Sequence, residues 1–307
     1  MQKKKSFIVM LTALVMSMVF VACRGNDEAS AQGTEAASLS HDRMGFEISL
    51  PDEISRIVSI APANTEIIMA LGFGDLIVAA DDQNVVGFDQ SLAVLSMWGI
   101  DLEYIISLEP DVVIASGMIM FQGDPLVPLR DLGIAVVYVP VSESVAEVKE
   151  DIRFLAAVFG VASRGEEIIA EMETGIAEIE AIIDTIEVRR RVYFEVSAAP
   201  FTFGSDTFTH EMLTIAGGIN IFYDLQGWPQ PSLEDVIDRN PEVILTSTNY
   251  IDDPVGEILG RTGFSVITAV ENSNVHFIDT DYSNRPNHMV VRAIRQMAEA
   301  IYPEYFR

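Results

Sequence analysis

The residues best suited to recognition chemistry occur in this chain as two matched sets. Segments 101–116 and 232–247 align without a gap, and each has a tryptophan just upstream and a glutamate at its third position. Indole rings offer large rigid faces to a flat ligand, and carboxylates pair with arginine. These residues are Trp98 and Glu103 in the first set and Trp228 and Glu234 in the second. Their repetition predicts a protein with two related lobes and a ligand cleft between them.

Catalysis is a remote alternative for this sequence. It contains no phosphate-binding glycine loop of the Walker type and no nucleophile elbow. Ser59 and Ser205 have no matched histidine partner, and the pair Asp81-Asp82 is typical of a solvated loop. We therefore predict no catalytic residues and no intrinsic cofactor.

Direct metal binding is a nearer alternative. A receptor for a bare zinc, manganese or iron ion needs three or four histidine and carboxylate ligands that converge on the ion. The histidines of this chain show no close paired spacing; they are His41, His210, His276 and His288. We predict no metal-ligating residues, and a receptor for a metal ion or for haem stays the alternative function.

Each repeated segment is typical of a short helix, then a proline, then a buried strand. Asp101 and Ser232 can cap the two helices, and each proline precedes a run of β-branched residues. Helices and strands alternate through most of the chain. This predicts an α/β fold in which each lobe has a central, mainly parallel β-sheet flanked by helices. A weaker repeat, 66–72 with 211–217, supports the duplication.

A long helix is predicted between the two lobes. From Ser163 to Glu187 the sequence has no proline, and apolar residues recur at alternating three- and four-residue steps. The stripe consists of Ile169, Met172, Ile176, Ile179, Ile183 and Ile186. Because it lies between the two repeated segments, we predict one backbone helix that joins the lobes rather than an ordinary surface helix.

The N-terminus predicts where the protein is found. Lysines precede an apolar run from Phe7 to Phe20, and Val21-Ala22-Cys23 follows, which is typical of a secretory signal. This end resembles a bacterial lipobox, which implies diacylglycerol on Cys23 and an extracytoplasmic protein anchored to the cell membrane. An ordinary signal peptide with an incidental cysteine is the alternative. The polar residues after Cys23 predict a flexible tether.

Composition limits the remaining possibilities. The formal net charge of −27 argues against nucleic acid as a partner. The whole chain is 49% hydrophobic, and its single cysteine lies at the processing site, so the body must be stabilised by its core without disulfides. The predicted organisation is a signal peptide at 1–22, a lipidated flexible tether at 23–50, an N-terminal lobe at 51–162, the linking helix at 163–188 and a C-terminal lobe at 189–307.

Seven short motifs occur in order along the chain. They are 59–66, 98–103, 110–115, 200–204, 217–222, 228–234, and Asp281 with Arg285. Together they resemble the substrate-binding proteins of ABC importers, specifically the helical-backbone class that serves ferric siderophores and cobalamin. The resemblance spans Arg56 to Ile301, and the motifs are most similar to those of cobalamin-binding members. It implies two lobes joined by one long helix, with limited closure of the lobes.

The resemblance also implies a ligand, partners and contact residues. The ligand would be a metal chelate, either cobalamin or another corrinoid or a ferric siderophore, held by loops at the lobe interface. The partners would be a permease dimer with its ATPase subunits, and we expect the protein to be a monomer. The predicted ligand-binding residues are Pro62, Ala63, Asn64, Trp98, Phe201, Phe203, Trp228, Asp281, Tyr282 and Arg285.

The resemblance gives Glu103 and Glu234 a role in docking. In the family, one glutamate on each lobe meets arginines on the two permease subunits, and twofold pseudo-symmetry matches a dimeric permease. The repeat by itself supports a second interpretation equally. Each glutamate falls in the first turn of a predicted helix, where a carboxylate favours the positive end of the helix dipole. Both interpretations can hold together.

Two residues depart from the cobalamin-binding pattern. Asp81 and Ser116 stand where the similar cobalamin binders have aromatic residues. Half of the expected aromatic cage is therefore missing, unless a loop with Met118, Met120 and Phe121 replaces it. This leaves the ligand open between a corrinoid and a ferric chelate.

Overall fold

Two sheets of parallel strands, each flanked by helices, organise the structure, which is a computed structural model. It describes residues 39–83, 92–198 and 200–306. The predicted signal peptide, the lipidation residue Cys23 and most of the predicted tether lie outside the described residues. Within the described part, no helix combines the length and the apolar character that crossing a membrane requires.

The N-terminal lobe contains the first sheet. Its strands are β1 (Ile57–Ile60), β2 (Ile77–Asp81), β3 (Ala93–Leu95), β4 (Val112–Ser116) and β5 (Ala135–Val139). The strand order is β3-β2-β1-β4-β5, and all neighbours are parallel. Strands β1, β4 and β5 are buried along their whole length, as expected for parallel strands covered on both faces. The helices of this lobe are α1 (Pro62–Ala70), α2 (Leu102–Ser107), α3 (Val127–Asp131) and α4 (Val145–Val158), and the longer α5 (Ala162–Ile183) follows.

The C-terminal lobe contains the second sheet. Its strands are β6 (Arg191–Glu195), β7 (Ile219–Asn220), β8 (Val243–Thr246) and β9 (Val275–Phe277). The strand order is β7-β6-β8-β9, again with parallel neighbours. Its helices are α6 (Phe208–Ile215), α7 (Leu233–Arg239), α8 (Pro254–Gly260), α9 (Thr268–Glu271), α10 (Thr280–Ser283) and α11 (Val290–Ile301). Short 3-10 turns occur at Gly74–Leu76, Gly117–Met120 and Phe264–Val266.

The two lobes share one topology. The order β2-β1-β4-β5 of the first sheet corresponds strand for strand to β7-β6-β8-β9 of the second, and β3 is an extra edge strand. Segment 101–116 forms α2 and β4, and segment 232–247 forms α7 and β8. The repeated segments therefore occupy equivalent places beside the first strand of each sheet, as the duplication predicts.

Helix α5 joins the lobes, as its apolar stripe predicts. On one side it packs against α4, and on the other against α6 and α11. Lys149 Nζ reaches Glu173 at 2.9 Å from the N-terminal lobe, and Arg295 Nη2 reaches Glu178 at 3.0 Å from the C-terminal lobe. The helix ends at Ile183, short of the predicted boundary at 188. Just after Ile183, backbone N–H groups donate to carbonyls three residues earlier and form a tight turn. One hydrophobic core runs from α4 through α5 into α11.

The flexible tether was predicted to extend to residue 50, but the chain is folded from Leu39 onward. Ile48 is buried in the main core, and Asp42 is also buried. Asp42 Oδ2 accepts a 2.9 Å hydrogen bond from the backbone N–H of Tyr138 on β5. The polar composition of the segment therefore does not indicate that Asp42 is buried. Its carboxylate accepts hydrogen bonds from backbone N–H groups, which makes the burial tolerable.

Two helices begin at residues other than those that the sequence favours as helix starts. Asn64 or Thr65 suits a helix cap, yet α1 begins at Pro62, whose fixed backbone angle is favourable in a first turn. A closing helix is favoured from about Pro286, but α11 begins at Val290. Asn287 delays it, because Asn287 Oδ1 accepts the Met289 N–H at 2.7 Å in a loop conformation.

Candidate ligand-binding site

The predicted contact residues lie in the loops and first helical turns that follow the carboxyl ends of the parallel strands. Ligands of open α/β sheets bind at this edge, where loops from neighbouring strands meet. In the N-terminal lobe these are the loops after β1 and β3, and in the C-terminal lobe those after β6, β7 and β9. They carry Pro62, Ala63 and Asn64, then Trp98, then Phe201 and Phe203, then Trp228, and finally Asp281, Tyr282 and Arg285.

A buried ion pair brings the two edges together. Arg285 Nη1 lies 2.6 Å from Glu66 Oε1, so a residue following β9 contacts one on α1 of the other lobe. Arg285 Nη2 donates to the Gln83 carbonyl at 2.6 Å and pairs with Asp281 Oδ1 at 2.8 Å. Asn287 Nδ2 donates to the second oxygen of Glu66. The carboxyl edges of the two sheets therefore face each other at this point.

Arg285 is engaged by protein carboxylates in this conformation. Glu66 and Asp281 neutralise its charge, and its side chain is only 12% exposed. The sequence predicts Arg285 as a ligand-binding residue, but Glu66 was not among the predicted contact residues. The weaker repeat carried the missing signal, because Glu211 is the counterpart of Glu66. Glu211 Oε2 also reaches the other lobe, accepting the Val145 N–H at 2.8 Å.

Asp81 lies near this ion pair, at the floor of the predicted ligand cleft. It is the last residue of β2 and is 4% exposed, so the prediction of a solvated loop at Asp81-Asp82 is wrong for Asp81. Its Oδ1 accepts the Gln83 N–H at 2.8 Å, whereas its Oδ2 is buried and has no hydrogen-bond partner among the described residues. Burial raises the pKa of Asp81 to about 6, and nearby Asp82 adds to the rise, while the Gln83 N–H and Arg285 oppose it.

An exposed aromatic pair lies on the N-terminal lobe. Trp98 is 63% exposed, and its ring centroid lies 6.4 Å from that of Phe121 in an edge-to-face arrangement. The two rings border a surface groove of about 420 Å³ that Ile100 and Ile119 also line. The Ser116 hydroxyl accepts the Met118 N–H at 3.2 Å and caps the 3-10 turn that ends beside Phe121.

The loop of Met118, Met120 and Phe121 places the Phe121 ring beside Trp98 on this lobe. Phe121 and Met118 are exposed, and Met120 is half-buried against the lobe core. Ser116, which departs from the aromatic pattern, acts as the cap that orients this loop.

A second aromatic cluster lies on the C-terminal lobe. Trp228 is 50% exposed and stacks on Phe201, with centroids 6.0 Å apart and ring planes 15° from parallel. The backbone holds the rings together, because Thr202 N–H donates to the Pro229 carbonyl and Gly204 N–H to the Gly227 carbonyl. This approach requires glycine at 204, where an added Cβ would lie 2.3 Å from the Leu225 carbonyl oxygen.

Phe203 is not positioned to contact a ligand, which corrects its prediction as a contact residue. Its side chain is fully buried in the main core. It packs edge-on against Trp228 with centroids 6.2 Å apart. Phe203 therefore supports the indole of Trp228 from inside the lobe, whereas the half-buried Phe201 stacks on that indole.

The other predicted contact residues differ in accessibility. Pro62, Ala63 and Tyr282 are half-buried, and Asn64 is buried in the first turn of α1. The Tyr282 hydroxyl accepts a 3.2 Å hydrogen bond from Arg292 Nη1, and the Arg292 guanidinium lies over the Tyr282 ring. The Tyr282 ring is therefore fixed in place beside the cleft.

Glu103 and Glu234 occupy equivalent exposed positions in the first turns of α2 and α7. Each helix is capped by a different residue: Asp101 accepts the Tyr104 N–H at 3.0 Å, and Ser232 accepts the Asp235 N–H at 3.1 Å. Across residues 39–306, apart from 84–91 and 199, neither glutamate has a hydrogen bond or ion pair. Their carboxylates are accordingly open to an external partner.

The histidines have local contacts rather than a common centre. His41 lies 3.0 Å from Ser40 Oγ, His210 lies 3.3 Å from Asn220 Nδ2, and His276 lies 2.7 Å from Asn274 Oδ1. Burial lowers the pKa of His288 to about 4. In the part of the chain that the structure describes, no group of three or more histidine, cysteine or carboxylate residues is arranged to hold a metal ion.

The chain is similar to known proteins along most of its length. The periplasmic binding protein family matches residues 57–282. An uncharacterized ABC transporter substrate-binding lipoprotein of Bacillus subtilis, YvrC, is 30% identical over 307 residues, covering 96% of this chain and 97% of that protein. A vitamin B12-binding protein of Vibrio parahaemolyticus is 28% identical over 255 residues, covering 81% of this chain and 90% of that protein.

A solved structure agrees with these sequence relationships. It is described as that of a possible iron-binding, periplasmic solute-binding protein from Staphylococcus epidermidis. It superposes with a TM-score of 0.72 at 28% identity and covers 81% of this chain and 99% of its own. Since the family match spans most of this chain and the folds agree, the chain belongs to the periplasmic binding protein family, the substrate-binding proteins of ABC transporters.

Proposed function

We propose that this protein captures a metal-chelate nutrient, either a corrinoid such as cobalamin or a ferric siderophore, and delivers it to the permease dimer of an ABC importer. The observation that carries the proposal is the meeting of the two lobes at the ends of their strands. The carboxyl edges of two parallel sheets meet at the Arg285–Glu66 pair, and each lobe presents an exposed tryptophan near that edge. Broad aromatic faces suit a large, flat or ring-rimmed chelate. The protein itself performs no chemical conversion in this proposal.

The relatives support this choice of ligand class. One related protein is named for vitamin B12 binding, and the similar structure is described as possibly iron-binding. Corrinoids and ferric siderophores are both organic chelates of a metal. Two lobes that each present an exposed indole ring suit a whole chelate better than a bare ion.

A lipid anchor completes the proposal. A periplasmic binding protein works outside the cytoplasm, and the lipobox-like sequence ending at Cys23 supports attachment to the membrane through diacylglycerol. The related Bacillus protein is named as a lipoprotein. The polar segment after Cys23 would then act as a tether of fewer residues than the sequence suggests, because the fold already includes Leu39.

Tryptophan fluorescence tests the proposed function directly, because Trp98 and Trp228 are the two tryptophans of the chain. We expect saturable quenching on titration with cyanocobalamin or a ferric siderophore, since a bound chelate would contact both indoles. Trp98→Phe and Trp228→Phe should each retain binding with a smaller amplitude, and the double variant should lose the signal. Haemin and free zinc serve as the alternative ligands. Saturable binding of zinc but of no chelate would contradict the proposal.

A further inference from the structure

The carboxylate of Asp81 has an unused hydrogen-bonding oxygen at the meeting point of the lobes. One oxygen accepts the Gln83 N–H, but the other is buried and has no partner among the described residues. An unpartnered buried oxygen of a carboxylate is unfavourable, so natural proteins keep few of them. Asp81 therefore offers a free acceptor at the point where the lobes meet.

The surroundings of Asp81 are acidic despite the presence of Arg285. Arg285 already pairs with Glu66 at 2.6 Å and with Asp281 at 2.8 Å. With Asp81 itself, three carboxylates surround this one guanidinium. At neutral pH the floor of the cleft therefore has a net negative charge, since burial raises the pKa of Asp81 only to about 6. A polyanionic ligand would be repelled here.

The N-terminal lobe contributes hydrogen-bond acceptors to this floor. Asp81 Oδ2 has no donor, and the Gln83 carbonyl receives its 2.6 Å hydrogen bond from Arg285 of the opposite lobe. Among the residues that the structure describes, these carboxylates are not part of a group that could hold a metal ion. The complementary ligand group is therefore an N–H or O–H donor without negative charge, rather than a bare cation.

Separation of the lobes would make these acceptors accessible. Arg285 belongs to the C-terminal lobe, whereas Asp81, Gln83 and Glu66 belong to the N-terminal lobe. As the lobes part, the guanidinium leaves with its own lobe and releases the Gln83 carbonyl. A ligand entering the cleft can then donate to the carbonyl and to Asp81.

We propose that Asp81 is a specificity-determining residue that selects chelates bearing uncharged hydrogen-bond donors and rejects polyanionic chelates. This inference rests on the proposed function and narrows its ligand class. A corrinoid ring, rimmed by primary amides, fits the requirement. A ferric tris-catecholate, which carries several negative charges, does not, and neither does haem with its two carboxylates.

Affinity measurements with two matched variants test this inference. Asp81→Asn removes the charge with little change in shape, and Asp82→Asn removes the same charge from the exposed neighbouring residue. At pH 7.5 we expect wild-type protein to bind cyanocobalamin and Asp81→Asn to bind it about tenfold more weakly. Asp81→Asn should bind a ferric tris-catecholate about tenfold more tightly, whereas Asp82→Asn should change either affinity by less than about twofold.

The stability of the variant provides a second measurement. Because burial disfavours the ionised form of Asp81, Asp81→Asn should melt at or above the temperature of the wild-type protein at pH 7.5. If it melts lower, Asp81→Ala, which lacks the acceptor altogether, should weaken cyanocobalamin binding at least as much as Asp81→Asn. An equal effect of the variants at 81 and 82 would contradict the inference.

The two proposals fail in different ways in this experiment. Tight binding of the ferric tris-catecholate by the wild-type protein, without binding of cyanocobalamin, would overturn the role of Asp81 and retain the proposed function. Binding of haemin alone would overturn both. Failure to bind any chelate would overturn both.

Discussion

Replacing both Glu103 and Glu234 with alanine should abolish ligand uptake while the affinity for the ligand stays within about twofold of wild type. The two carboxylates are exposed at equivalent positions in the two lobes, and neither has a partner among the described residues. A pair of glutamates related by pseudo-twofold symmetry suits a dimeric permease. Loss of both charges would remove the contact that aligns each lobe with one permease subunit. Uptake of labelled ligand by cells, with affinity measured on purified protein, gives the two readouts.

The helix-dipole interpretation of Glu103 and Glu234 predicts a different result. If the glutamates only stabilise α2 and α7, the double variant should unfold more easily, by about 0.3–1 kcal/mol for each site, and uptake should remain. Asp131→Ala with Asp238→Ala is the matched control, since it also removes one exposed carboxylate from each lobe. Normal uptake by the glutamate variant, or equal loss in the control, would remove the docking assignment.

Arg285→Ala should lower the free energy of unfolding by about 3–5 kcal/mol, because it removes the charged partner of a buried carboxylate. The Glu66 side chain is 2% exposed, and Asn287 would remain as a neutral hydrogen-bond donor to it. Since Arg285 also joins the lobes, the variant should have a larger radius of gyration in solution. Urea denaturation and small-angle X-ray scattering measure these two effects.

Arg261→Ala separates the stability effect from the effect on lobe geometry. Arg261 Nη1 pairs with buried Glu195 at 2.6 Å, but both residues lie in the C-terminal lobe. This control should lower the unfolding free energy by a similar amount while leaving the radius of gyration unchanged. Wild-type stability of Arg285→Ala, or expansion of both variants alike, would show that the ion pair does not hold the lobes together.

The fold was predictable from the sequence because local patterns specify its main elements. The two copies, 101–116 and 232–247, each contain a capped helix, a proline and an apolar run, and each forms the expected helix and strand. The periodicity of α5 similarly predicts a helix with one buried face, and five of its isoleucine and methionine residues are buried in the structure. In these elements the local preference and the tertiary packing agree.

The site was less predictable because it depends on contacts between distant residues. Glu66 and Arg285 are separated by 219 positions, and neither local sequence indicates that they form a buried pair. The sequence also does not indicate how deeply each aromatic side chain is buried. Phe201 and Phe203 are the same residue type two positions apart, yet only Phe203 is buried in the core. The segment from Leu39 to Leu50 has a tether-like composition, but its few apolar residues pack on the N-terminal lobe.

A crystal structure with the chelate that binds most tightly in the fluorescence titration tests the central claim most directly. The proposed function predicts that the chelate lies between the lobes, in contact with Trp98 and Trp228, while Glu103 and Glu234 remain exposed on the surface. A chelate bound to a single lobe away from the strand ends, with both indoles still facing solvent, would contradict it.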